Sequence, residues 1–192
     1  MREEGVPNYF GEQRFGRNGS TLRQAREWMR RGRRVSRDRR SLYLSALRAW
    51  VFNGVLAQRV RQGDWNLVLP GDRCMLRGSR SHFCCDMVTE DIVLRAAAGD
   101  LSPGLPLWGQ ASGDVGEPST VMDEEALAVC EFLTSAGLTL AWRSTRLLPD
   151  DFSWQFCDDG TLHLGFDLVA GGYATALLGE CLQFKNGAVK EH

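Results

Sequence analysis

Residues 5–16 read GVPNYFGEQRFG. Three glycines, a proline and three aromatic residues make this run too broken for a helix, and it carries too many rings for a solvated linker. Gly5, Gly11 and Gly16 let the backbone bend or come close to a partner. Tyr9, Phe10 and Phe15 offer flat apolar faces, and Asn8 offers an amide that both donates and accepts. Gln13 and Arg14 add a planar amide and a planar cation beside the rings. Stacking faces, an amide and a cation are what a loop needs to hold an unstacked base and its phosphates. The same composition suits a buried aromatic corner between two strands, and chemistry alone leaves both readings open.

At 192 residues the chain has room for one ordinary domain, or for one domain and part of another. An apolar fraction of 43% with six tryptophans is enough for a core. No apolar run approaches the ~18 residues of a membrane span, and no charged-then-apolar signal opens the sequence. The six cysteines form no C-x-x-C pair and no zinc spacing, and the three histidines are scattered. The expectation is no metal and buried reduced thiols in a cytoplasmic protein.

The net charge of −1 hides an asymmetry. Residues 1–62 carry 15 arginines and no lysine against 5 acidic residues, whereas the remainder carries 8 basic against 19 acidic residues. An arginine-only basic half is an electrostatic footprint for phosphate, because guanidinium also stacks on bases and grips phosphate at two points. A solvated helix face is the alternative.

The longer run GVPNYFGEQRFGRNGSTL, residues 5–22, resembles the signature of the TruD family, the tRNA pseudouridine synthases D. Members of that family convert a uridine in the D-arm of tRNA, uridine 13 in the bacterial enzyme, to pseudouridine without a metal or an organic cofactor. The resemblance implies that Asn8 contacts the target nucleotide and that Phe10 lies against it. Arg14 belongs to the same set. Three further stretches carry the likeness. RRSLYLSALRAWVFN resembles the family pattern R-S-x-x-x-S-A-x-R-x-x-x-F-N through Arg40, Ser41, Ser45, Ala46, Arg48, Phe52 and Asn53, and Arg40 and Arg48 are the candidate RNA contacts there. GDLSPGLPLWG resembles G-D-x-x-P-x-G-P-L-W-G, with Leu105 in place of glycine. LVAGGYATALLGE resembles L-P-x-G-x-[YF]-A-T-x-x-x-R-E, with Val169 replacing proline and Gly179 replacing arginine. Tyr173 stands where the family has a substrate-touching aromatic.

The implied fold is α/β (α+β): part of a pseudouridine synthase domain with a mixed, largely antiparallel sheet, interrupted by an inserted TRUD domain. On that template residues 1–33 end the first catalytic segment, 34–147 form the insertion, and 148–192 return to the catalytic domain. The family's catalytic aspartate lies upstream of the G-V-P-N-Y-F-G stretch, in an N-terminal half that is expected to be missing here. Asp38, Asp72, Asp100, Asp158 and Asp159 all fall in caps and turns, where structural work is the ordinary role. No residue of this chain is therefore expected to act as the nucleophile, and the chain alone is expected to be inactive. The expected partners are tRNA and that N-terminal half. Two other classes stay open: a non-catalytic RNA-binding module, and an interaction domain using Trp108 and an acidic helix.

Local signals give the elements. Ser20 is expected to cap a helix ending at Gly32, followed by an exposed turn, Arg30 to Arg34, that reads as a phosphate clamp or a domain junction. Asp38 should start a helix to about Gln62 with Leu44, Leu47, Val51 and Val55 inside. Strands are expected over Asn66–Leu69, Arg73–Leu76, Ser81–Val88 and Arg143–Leu148. Thr89 should cap a short helix, and residues 101–120 should be a long irregular segment in which Trp108 is more readily a core anchor than an exposed platform. Thr120 or Asp123 opens an acidic helix to about Ala136, with Asp123, Glu124, Glu125 and Glu131 facing solvent. Phe152–Phe156 and Thr161–Leu168 form a hairpin around Asp159-Gly160, and a last helix runs from Tyr173 to about Leu182.

Overall fold

The structure is a computed structural model that describes residues 4–111 and 122–182. Its centre is the long helix α2, Arg37–Gln62, capped by Ser36, whose hydroxyl accepts from the Arg39 N–H, and ended by Gly63. Asp38 therefore sits in the first turn, where a negative charge is favoured, and the cap is Ser36. The expected apolar stripe is buried: Leu44, Leu47, Val51, Phe52, Val55 and Leu56 join one core with Leu105, Val129 and Leu133. Helix α1, Ser20–Arg31, packs on α2 and ends at Gly32. Gly19 takes the N-cap position of α1 without a side-chain cap, so Ser20 is its first residue. Trp28 bridges α1 to the rest, edge-on to Phe132 at 5.2 Å and tilted on Tyr43 at 5.7 Å.

A four-stranded antiparallel sheet runs β3-β2-β4-β5, formed by β2 (Arg73–Leu76), β3 (His82–Cys84), β4 (Leu101–Leu107) and β5 (Ala141–Ser144). Helix α3, Glu90–Ala97, capped by Thr89, covers one face through Ile92 and Ala96 against Cys74 and Leu101. The proposed strand at Asn66–Leu69 is instead turn, and the strand at Ser81–Val88 shrinks to His82–Cys84.

The largest correction is β4. Two prolines made residues 101–107 read as loop, because proline lacks the ladder donor. The register shows why they are tolerated in an interior strand. Gly104 pairs with Ser144, so Pro103 lies opposite Thr145, whose N–H donates to the Pro103 carbonyl at 2.8 Å. The Thr145 carbonyl, which a non-proline N–H would have reached, accepts from the Asn8 N–H at 2.8 Å instead. Pro106 falls beyond the stretch of β4 paired with β2. Residues 112–120 of the expected irregular segment, and Thr120 with them, lie outside the described residues.

Arg143–Leu148 is not one strand. β5 ends at Ser144, and β6, Arg146–Leu147, leaves that sheet to pair with β1, Val6–Pro7. Gly5 permits this pairing. Its φ is +71°, and a Cβ there would stand 2.6 Å from the Leu147 carbonyl oxygen. The hairpin β7 (Asp150–Phe156) and β8 (Leu162–Asp167) forms as expected, and helix α5, Ala174–Cys181, starts after Tyr173. Named pairings are all antiparallel, and one isolated parallel bridge joins Gln110 to Thr139.

Helix α4, Glu124–Ser135, is capped by Asp123. Glu125 does not face open solvent: it reaches Arg26 and Arg30 at 3.3 Å each, so the acidic helix neutralises part of the basic one. Trp108 is an anchor packed against the central core. No helix of the described residues is long and apolar enough to cross a membrane, and no group of His, Cys, Asp and Glu gathers among them to hold a metal.

Burial pushes the Cys130 thiol up to about 12. A raised folded-state pKa keeps this thiol's contribution intact below its ordinary value of 9 and removes it as pH rises toward 12, because the unfolded chain ionises first. Between pH 8 and 10.5 it alone should cost about 2 kcal/mol of stability. Urea midpoints at the two pH values check this, and Cys130→Ser should shrink the difference by about that amount while the Cys74 thiol, also pushed up to about 12, keeps its own share.

Candidate nucleotide-binding site

The GVPNYFG loop is held from three sides. Its Asn8 side chain, 5% exposed, donates to the Ser144 carbonyl at 2.9 Å and accepts from an Arg143 N–H at 2.6 Å. Arg143 also donates to the Asn8 carbonyl at 3.2 Å, and with its remaining arm to the Gly171 carbonyl at 3.0 Å. One guanidinium thus joins the loop, strand β5 and the glycine turn before α5.

Helix α2 makes the second hold. Asn53 accepts from the Phe10 N–H at 2.9 Å and donates to the Phe10 carbonyl at 3.0 Å, a clamp on one residue's backbone. Phe52, next along the helix and fully buried, meets the Phe10 ring edge-on at 5.4 Å. Asn53→Leu would leave both Phe10 backbone groups unpaired, at about 2–3 kcal/mol. Urea unfolding of the variant checks this, and a loss below 1 kcal/mol would show that water replaces the clamp.

Arg14 makes the third. Its Nε and one terminal nitrogen donate to the Tyr173 hydroxyl at 2.9 and 2.6 Å, and the other donates to Ser45 Oγ at 2.8 Å. Tyr173 in turn lies 5.7 Å from Phe10, ring edge to face. The result is two rings and two arginines: Arg143 stands 4.2 Å from the centre of the Phe10 ring, and Arg14 stands 5.7 Å from Phe10 and 5.9 Å from Tyr173. Neither arginine makes an ion pair among the described residues. Burial pushes the Arg143 guanidinium down to about 10, and the neighbouring Arg14 charge adds to the fall. Two cations beside two rings, with no carboxylate paired to either, favour an anion next to a flat apolar group.

The structure therefore brings Asn8, Phe10, Arg14 and Tyr173 together, from loop and C-terminal helix. It does not bring Arg40 and Arg48 to them. Arg40 donates to the Ala136 carbonyl at the end of α4 at 2.9 Å. Arg48 donates to the Leu107 carbonyl at 2.6 Å and to the Thr139 carbonyl, fastening α2 to the end of β4. The residue missed in the sequence is Arg143; Ser45 and Asn53 match the family pattern but are not named as site residues there. Ser45 and Asn53 lie eight apart, so they share a helix face, and that spacing could have placed them together. Arg143 had no signal beyond being a charge inside a strand.

The sequence model of the family described as tRNA pseudouridine synthase D (TruD) matches residues 19–181. A relative named tRNA pseudouridine synthase D from Methylococcus capsulatus is 41% identical over 189 residues, covering 96% of this chain and 53% of its own length. One of the same name from Legionella pneumophila strain Corby is 40% identical over 191 residues, covering 96% of this chain and 56% of its own length. The chain thus spans about half the length of the curated relatives it matches. Its fold is similar to the crystal structure of a protein described as a tRNA pseudouridine synthase D from Methanosarcina mazei, with a TM-score of 0.55 at 18% identity over 93% of this chain and 61% of that one. The α2 pattern and the Gly-Gly-Tyr helix that meet at the site fall within residues 19–181, and the chain belongs to the TruD family.

Proposed function

We propose that this chain supplies the nucleotide-holding half of a tRNA pseudouridine synthase acting on uridine 13, and that the catalytic aspartate comes from the part of its relatives' length that it does not span. The observation that carries this is the pair Arg14 and Arg143 around Phe10 and Tyr173 without a paired carboxylate. The reaction is an isomerisation. The C1′–N1 bond breaks, the uracil turns, C1′ bonds to C5, and the proton lost from C5 is balanced by one gained at N1. An aspartate assists glycosidic cleavage, by attack on the sugar or by proton removal. This chain's residues hold the base while it is free. Flipping costs a few kcal/mol of unstacking, and stacking against Phe10 and Tyr173 offsets it. Asn8 fixes the loop, and the arginines balance the nucleotide phosphate or the incoming carboxylate. On this reading the inserted segment is 34–147, the catalytic segments are 1–33 and 148–192, the RNA-facing residues are Phe10, Arg14 and Tyr173 on the loop that buried Asn8 holds, and the chain alone does not turn over.

The test uses unmodified tRNA transcripts with uridine or an abasic residue at position 13. The parent chain should bind the uridine form about tenfold more tightly, the worth of one base–aromatic stack, and Phe10→Ala should erase the difference. Equal affinity of the parent for both forms would contradict the reading.

A further inference from the structure

The four-stranded sheet has two unlike faces. Cys74, Phe83 and Leu101 point toward α3, and Leu105 points toward α2. The register places His82, Met75, Ser102, Arg73, Gly104 and Trp142 on the other face. No helix among the described residues packs there through a shared core. Ser102 and Gly104 lie between the outer strands, and a Cβ on Gly104 would meet Met75 Cγ at 2.7 Å. Over this low middle the Trp142 indole spans far enough to bring its ring centre within 6.0 Å of the His82 ring, and the Arg73 guanidinium lies 5.3 Å from its centre.

This face opens into a cleft of about 1000 Å³ that runs from Arg80 and His82, past Trp142, to Asn8 and Gly171 of the site above. Arginines 77, 80, 143 and 146 line it, and among the described residues no aspartate or glutamate does. Arg77 is paired with Asp150, and Arg146 is tied to the Ala96 carbonyl at 2.7 Å. Arg80, exposed at the β2–β3 turn, makes no ion pair among the described residues. A half-buried tryptophan between a cation and an imidazole, at the mouth of an acid-free cleft, is complementary to a polyanion that carries flat rings.

We propose that the uncovered face of the β3-β2-β4-β5 sheet is a second nucleotide subsite, where an unpaired base of the bound RNA stacks on Trp142 with its phosphate at Arg80. The proposal rests on the RNA-binding reading above but concerns other residues. A base on Trp142 leads along the cleft toward Asn8, so the strand that reaches Phe10 is held at two points rather than one.

The experiment is binding of a single-stranded RNA oligomer and of an unmodified tRNA transcript to the whole chain at several salt concentrations. Trp142→Ala should weaken both about tenfold with an unchanged salt slope, and Trp142→Phe should recover most of the loss. Arg80→Gln, a change on an exposed turn that cannot unfold the chain, should weaken both a few-fold and lower the salt slope by about one. Arg95→Ala, on α3 across the sheet, should bind as the parent does. Parental affinity in Trp142→Ala and Arg80→Gln overturns the subsite. If those two variants also isomerise tRNA normally once an N-terminal half is supplied, the functional reading survives without it. Protection of Trp142 by that polypeptide, with RNA affinity unmoved by Trp142→Ala, assigns the face to protein and overturns the subsite too. A parent chain that binds neither RNA overturns both readings.

Discussion

Arg143→Gln should leave stability within about 1 kcal/mol of the parent while lowering isomerisation by the chain, supplied with the N-terminal half of a relative, at least about 100-fold. Two opposing effects set the first expectation. Burial pushes the guanidinium down to about 10, so holding its charge at neutral pH costs on the order of 3 kcal/mol. Its bonds to the Asn8 carbonyl, the Asn8 amide oxygen and the Gly171 carbonyl return a similar sum. A lowered cation pKa makes the cost present below about 10 and relieves it as pH rises from there toward the ordinary guanidinium range, because the unfolded chain keeps the proton longer. Sulfate should raise the parent's melting temperature more than the variant's. A variant that unfolds outright, or one with parental turnover, would contradict this account.

Phe52→Ala should cost about 3–5 kcal/mol, measured by urea unfolding. Phe52 is fully buried and is among the largest side chains so enclosed. It sits between the helix core and the loop, edge-on to Phe10 and 5.5 Å from Arg143. Losing it opens a cavity under the site, so tRNA affinity should fall with stability. Leu47→Ala, equally buried in the same core but aliphatic and so without the ring contact that Phe52 makes to Phe10, should cost stability of the same order and spare affinity in the folded fraction. Equal effects of the two on affinity would mean that Phe52 acts only through the fold.

The helices were legible because their signals are local. The α2 stripe repeats at helical spacing, Thr89 and Asp123 cap where they should, and Gly32 and Gly63 stop helices with positive φ. Strand β4 was not legible, because the partner that excuses Pro103 is Asn8, far away in sequence. The split of residues 143–148 between two sheets was hidden for the same reason: β6 is chosen by Val6–Pro7. At the site, the loop residues announced themselves by composition, whereas Arg143 acts through contacts that only the fold creates. Arg40 and Arg48 matched a pattern yet serve backbone carbonyls, since a charge on a helix face does not say which end of the domain it fastens.

The most direct measurement is single-turnover tritium release from a tRNA transcript made with uridine labelled at C5, since forming the new bond expels that hydrogen. The chain alone should release none, and the chain mixed with the N-terminal half of a TruD relative should release it, with the product pseudouridine at position 13. Release by the chain alone would contradict the claim that its nucleophile comes from elsewhere. A mixture that binds tRNA tightly but releases nothing would replace the half-enzyme with a non-catalytic RNA-binding module.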